Sequence, residues 1–171
     1  MKSKLSFIVL VSVPILLGLR DVDFKGYTDP DFLDYKADSF AVCYTNATNS
    51  FQMPFEKEFF KLVKKNKMAG QRCDDVFPPT RDWTLESRLD LMVKLNIDAI
   101  LLVDVGLESG DRLFKQDEFS AELIDAISNR KVWVGKAGIN SSGTLFTKTK
   151  GVAKLLAKLI FKDLSSKGLT E

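Results

Sequence analysis

Asp104, Glu108, Asp111, Asp117 and Glu118 lie close together in the chain. Grouped carboxylates of this kind can bind a hard cation or move protons. Their spacing matches no calcium loop, and acids in a turn ordinarily just face water. Asp74-Asp75 and Arg81-Asp82 are weaker versions of the same pattern. The remaining reactive side chains are Cys43 and Cys73. Two thiols are too few for a zinc site. They form either a disulfide, where the compartment is oxidising, or two buried free thiols. The chain contains 0 histidines. That excludes serine or cysteine nucleophiles activated by imidazole, histidine general bases and histidine metal ligands. No cofactor is implied, because Gly135 and Gly138 open no helix and so make no dinucleotide fingerprint.

The compartment is more legible than the chemistry. Lys2 and Lys4 precede an apolar run from Leu5 to Gly18 that Pro14 interrupts. A basic start followed by such a run is the pattern of a signal peptide. The run is short against the roughly 20 apolar residues that span a bilayer. Residues 1–20 are therefore expected to be a signal peptide or an amino-terminal membrane anchor. Leu16-Leu17-Gly18 resembles the approach to a bacterial lipidation cysteine, but position 19 is Leu19, which cannot carry the thioether-linked lipid. Removing Lys2, Lys4 and Arg20 from the 25 basic residues leaves 22 against 23 acids. A body this close to neutral argues against nucleic acid as partner.

A length of 171 residues suits one domain with a real core, here rich in phenylalanine at 13 residues. Residues 21–38, rich in Asp, read as an extended lead-in, and residues 39–171 as a single α/β domain. The organising stretch is 96–105, whose apolar run Ala99 to Val103 reads as a strand covered on both faces. Before it come a strand at 39–44, a helix opened by Pro54 and running to about 67, a second strand within 68–77, and a helix capped by Asp82 or Thr84. The buried side of that last helix is expected to be Leu85, Leu89, Met92, Val93 and Leu95. After the organising strand, runs at 119–126 and 131–137 flank Ser128-Asn129-Arg130 as an antiparallel hairpin. A final helix over about 145–166 carries an apolar stripe, and Gly168 fits its stop. The expected fold is α/β: a mixed sheet of about five strands, β-α-β-α-β, then an antiparallel hairpin and a carboxy-terminal amphipathic helix. Along that helix Lys150, Lys154, Lys158 and Lys162 recur every four residues. Such a ridge is a solvated face or a surface for a partner or anionic lipid. Trp83 and Trp133 read as core or rim aromatics.

These motifs resemble small bacterial envelope lipoproteins of unknown function. The resemblance rests on Asp31-Phe32-Leu33-Asp34-Tyr35-Lys36 in the lead-in, on Ile97-Asp98-Ala99-Ile100-Leu101-Leu102-Val103, and on Leu123-Ile124-Asp125-Ala126 with Lys131-Val132-Trp133. Similar folds occur in the amino-terminal domain of the Tol translocation protein B and the periplasmic domain of the curli secretion channel. The resemblance implies a non-enzymatic domain facing the periplasm, with another envelope protein or the membrane surface as partner. Leu19 and the turn residue Asn129 depart from the family pattern. Two rival readings are a periplasmic module for a small hydrophobic or lipid ligand, held among the phenylalanines, and an enzyme using the acidic cluster.

Overall fold

The structure, a computed structural model, describes residues 22–105, 119–139 and 149–170. Their elements run β1 (Val22–Thr28), a 3-10 turn (Pro30–Phe32), β2 (Ser39–Thr45), α1 (Asn49–Lys65), β3 (Ala69–Arg72), α2 (Cys73–Val76), α3 (Leu85–Lys94), β4 (Ala99–Asp104), β5 (Phe119–Asp125), β6 (Lys131–Ile139) and α4 (Thr149–Ser166). The strands form one six-stranded sheet in the order β1-β6-β5-β4-β2-β3. β2 pairs parallel with both β3 and β4, and every other pairing is antiparallel. This is the expected mixed α/β sheet with its β5–β6 hairpin, plus one strand. The extra strand is β1, part of the lead-in, which pairs with β6 from Val22↔Ile139 to Thr28↔Trp133. Its burial alternates residue by residue, the period-two signature of a half-covered strand. The aspartates and Gly26 around it read instead as turn residues.

Strand pleat assigns the two faces. Phe40 and Val42, Leu101 and Val103, and Ala121 and Leu123 are buried under α1 and α4, which lie side by side. From α1, Phe51, Phe55, Phe59 and Val63 recur every four residues and are all buried. α4 answers with Val152, Leu156, Ile160 and Leu164. The opposite face carries a smaller cluster of Ala41, Val76, Met92, Ile97 and Ala126. β4 is accordingly buried fully on one side and only in part on the other, where Ile100 and Leu102 lie. The buried side expected for α3 is correct only at Met92, with Leu89 half-buried. Leu85, Val93 and Leu95 are 58%, 61% and 39% exposed. Among the described residues α3 packs through this small outer cluster, so its apolar stripe is wider than the surface it covers.

One boundary differs from the sequence reading. α1 starts at Asn49, which leaves Pro54 inside the helix. Proline there forfeits one hydrogen bond to the preceding turn. The earlier turn is retained because it carries Phe51 into the core at 1% exposure. The second strand falls within the expected 68–77, as Ala69–Arg72, an exposed edge, and the chain then turns at once into α2. Of the two caps expected for α3, Thr84 is the one used, its hydroxyl accepting from the Ser87 amide at 3.2 Å. The expected start of the last helix near Leu145 lies outside the described residues.

The ends of α1, α3 and α4 share one device. Lys67, Asn96 and Gly168 adopt φ of 62°, 50° and 70°. The next residue, Met68, Ile97 or Leu169, is buried, and its amide donates to the carbonyl of Val63, Met92 or Leu164 at 3.1, 2.9 and 3.0 Å. This is the Schellman closure with its apolar contact. Of these three, lysine is the least suited to that left-handed position. Lys67→Gly is expected to stabilise the fold by about 1 kcal/mol. Urea denaturation checks this, with the midpoint rising and the slope unchanged.

Two further contacts set register. Gly26 and Gly135 face each other across β1 and β6. A Cβ on Gly26 would lie 2.5 Å from Trp133 Nε1, and one on Gly135 would lie 2.3 Å from the far edge of the same indole. Both glycines clear the space in which Trp133 reaches α4, where its N–H donates to Asp163 Oδ2 at 2.8 Å. At the start of β2 and β4, Asp98 Oδ2 accepts from the amides of Asp38 and Ser39 at 2.9 and 3.0 Å. The Asp98 amide donates to Ser39 Oγ at 2.9 Å, and the Tyr35 hydroxyl donates to the Asp98 carbonyl at 2.8 Å. This knot ties the lead-in to the organising strand.

Candidate functional site

The parallel register of β2 and β3 pairs Val42 with Arg72, so the next residue on each chain segment is a cysteine. Cys43 and Cys73 are bonded, with Cα atoms 4.8 Å apart and a sequence separation of 30. That Cα distance lies inside the range a disulfide requires. Cys73 sits one residue past the end of β3, at the first position of α2.

Beside the bridge lies a small polar cleft of about 110 Å³, lined by Tyr44, Gln52, Glu56, Arg72 and Asp74 among others. α1 positions Glu56 next to Phe55 on the core side, where it is only 8% exposed. Arg72 on β3 reaches it, with Nε 3.2 and 3.1 Å from its two carboxylate oxygens. Burial raises the pKa of Glu56 above the usual carboxylate value, and the Arg72 charge opposes that rise. The Tyr44 hydroxyl is buried and has no hydrogen-bond partner among the described residues. Burial, then the nearby Glu56 charge, push its pKa well above the ordinary phenol range, with Arg72 opposing. The phenol thus keeps its proton at neutral pH and can donate but not act as a base. With both sulfurs bonded to each other, the cleft contains no thiol nucleophile.

Tyr35 behaves in the same way, raised first by burial and then by the Asp125 and Asp98 charges. In the unfolded chain both phenols ionise near pH 10, while the folded chain holds their protons to higher pH. Stability is therefore complete below about pH 10 and falls as pH rises beyond it, by up to ~1.4 kcal/mol per pH unit for each tyrosine. Chemical denaturation from pH 8 to 11 is expected to show this fall, and Tyr35→Phe with Tyr44→Phe to flatten it.

The four lysines do not form an even ridge. Lys150, Lys158 and Lys162 are exposed and Lys154 is half-buried. Lys158 leans toward Glu58 of α1 at 3.6 Å, and Lys162 lines a shallow cleft with Val22, Asp23, Phe24, Leu159, Asp163 and Ser166. A four-residue step advances slightly more than one helical turn, so the row winds around α4. The acidic cluster is represented by Asp104 alone, at the end of β4, where Asn46 Nδ2 donates to it at 3.3 Å. Glu108, Asp111, Asp117 and Glu118 lie outside the described residues. Among the described residues no three acids, cysteines or histidines are grouped to hold a metal ion, and no helix is long and apolar enough to cross a membrane.

The sequence reading missed the Tyr44, Glu56 and Arg72 cleft because its members come from three elements and carry no shared spacing. The one available signal is Glu56 itself, an acid falling between Phe55 and Phe59 on a helix whose phenylalanines mark the core.

No protein-family model matches the chain, and no curated protein matches it. Solved structures do. The chain is similar to the PelC dodecamer from Paraburkholderia phytofirmans, at 16% identity and a TM-score of 0.47, covering 88% of this chain and 99% of that one. It is similar to a minor lipoprotein from Acinetobacter baumannii at 13% identity and a TM-score of 0.38, covering 80% of this chain and 96% of that one.

Proposed function

We propose that the chain is exported and acts as a non-enzymatic, protein-interaction component of a cell-envelope assembly or transport complex, facing the periplasm. The Cys43–Cys73 bridge carries this reading, since such bonds form and persist in oxidising compartments. The basic and apolar pattern of residues 1–18 supports it independently. The rival hydrophobic-ligand reading needs space among the phenylalanines. Phe51, Phe55 and Phe59 instead stack on one another at 5.6 and 5.9 Å between ring centres.

Two surfaces can serve as the contact. One is the outer side of α4 with Lys150, Lys154, Lys158 and Lys162. The other is the outer face of β1 and β6, where Asp23, Lys25, Tyr27 and Lys136 are exposed. A photo-reactive residue placed at Lys150, Lys162, Lys25 or Lys136 in cells that export the chain tests both. The reading expects a discrete adduct with one envelope protein from at least one of the two surfaces. Absence of any adduct from all four positions, with the chain exported and folded, would reject it.

A further inference from the structure

The loop joining α2 to α3 and the first turn of α3 form a concave cradle lined by Phe77, Pro79, Arg81, Asp82, Trp83 and Arg88, with Cys73 at its edge. Phe77 and Trp83 meet edge to face with ring centres 5.6 Å apart. The Trp83 N–H donates to the Pro78 carbonyl at 3.0 Å, which fixes the indole in the loop. Arg81 lies over the Trp83 ring at 4.6 Å and Arg88 over the Phe77 ring at 5.7 Å. Neither guanidinium is ion-paired among the described residues, and both side chains are exposed. The bridge to Cys43 anchors the start of this segment to β2.

The same chain shows what a guanidinium held on a ring binds. Arg130 lies over the Phe32 ring at 4.8 Å and turns its N–H edge to Asp31 at 2.7 Å and Asp29 at 3.5 Å. Stacking uses the face of the guanidinium and leaves its planar fork of donors free for a carboxylate. The cradle repeats that half of the arrangement twice, on two adjoining rings, with neither guanidinium ion-paired to a carboxylate among the described residues. Asp82 contributes one negative charge to the lining, so the cradle keeps a net charge of one positive from its two arginines and one acid.

From this geometry we infer that the Phe77, Arg81, Trp83 and Arg88 cradle binds the paired carboxylates of an acidic segment of a partner polypeptide. Two guanidiniums on separate rings fit two acids carried on one chain better than a single anion. The inference gives a chemistry to the partner of the proposed function and rests on that reading only for the partner's being a polypeptide.

The test uses the purified full chain and a fluorescein-labelled peptide carrying two Asp-Glu pairs, with the matching Asn-Gln peptide as control. Fluorescence anisotropy is read at low and high salt. The acidic peptide is expected to bind, the neutral one not, and binding to weaken with salt. Arg81→Gln with Arg88→Gln is expected to weaken it about tenfold or more. Arg81→Lys with Arg88→Lys, which keeps the charge and loses the fork, is expected to fall between. Lys57→Gln with Lys61→Gln, two exposed lysines of α1, removes the same charge elsewhere and is expected to change affinity less than about twofold. Equal loss in the two glutamine pairs would overturn the site, as would binding of the neutral peptide or no binding at all. Glutarate competing as well as the peptide, mole for mole, would overturn the polypeptide assignment. Because the assay uses purified protein, these results are independent of where the chain resides in the cell.

Discussion

A chain with Cys43→Ala and Cys73→Ala is expected to be less stable than the oxidised parent by about 3–4 kcal/mol. The bridge closes a loop with a separation of 30 residues. Denying the unfolded chain the freedom to open a loop of that length accounts for an effect of this size. For a domain of this length each kcal/mol moves Tm by about 2–4 °C, so a drop of roughly 10 °C is expected. Thermal unfolding of the oxidised parent, the reduced parent and the double variant checks it. The two thiol-free or reduced forms should agree with each other and differ from the oxidised one. Hydrogen exchange should show the loss first at β3 and α2. β3 is an edge strand whose four residues are all exposed, and among the described residues it pairs only with β2. Equal Tm values for oxidised and reduced protein would show that the bridge adds nothing to the fold.

Phe59→Ala is expected to cost still more, about 4–5 kcal/mol. Phe59 is fully buried on α1 and stands at the hub of the main core. Its ring meets Phe40 of β2 at 6.0 Å, Phe55 at 5.9 Å, Phe60 at 6.4 Å and Phe161 of α4 at 6.0 Å. It thus joins the sheet and both helices of that face. Truncation removes the transfer free energy of the ring and opens a cavity that three elements would have to close together. Edge-to-face pairs add to the loss. The half-buried Leu62, three residues along the same helix, should cost clearly less when changed to alanine. Urea unfolding of the two variants measures the difference. A cost for Phe59→Ala no larger than for Leu62→Ala would mean that the ring cluster is not the centre of the core.

Much of this architecture was legible in the residues. The apolar run of β4, the alternation in β5 and β6 around Asn129, and the four-residue spacing of Phe55, Phe59 and Val63 are local patterns, and local patterns report local structure. The failures have physical causes. β1 was hidden because its strand character lies in pairing with β6, more than a hundred residues away, while its own aspartates and Gly26 speak for turns. α3 was assigned too wide a buried side because a stripe of leucines shows what could be covered, not how much sheet is there to cover it. Pro54 drew the start of α1 too late because its rule ignores the gain from seating Phe51. Candidate sites were less legible. The cysteines were readable as a pair, yet only the β2–β3 register shows them side by side. Glu56 and Arg72 are joined by packing across 16 residues. Arg81 and Arg88 become a cradle only when Phe77 and Trp83 are seen beneath them.

The most direct test of the account is the mass and thiol state of the chain made in a bacterium with its own amino terminus, then separated into cytosolic, periplasmic and membrane fractions. Each fraction is treated with a thiol-alkylating reagent before and after reduction. The account expects the protein outside the cytosol, shortened and released or full length and membrane-held, with Cys43 and Cys73 alkylated only after reduction. Full-length protein in the cytosol with both thiols alkylated at once would contradict export, and the proposed envelope function with it.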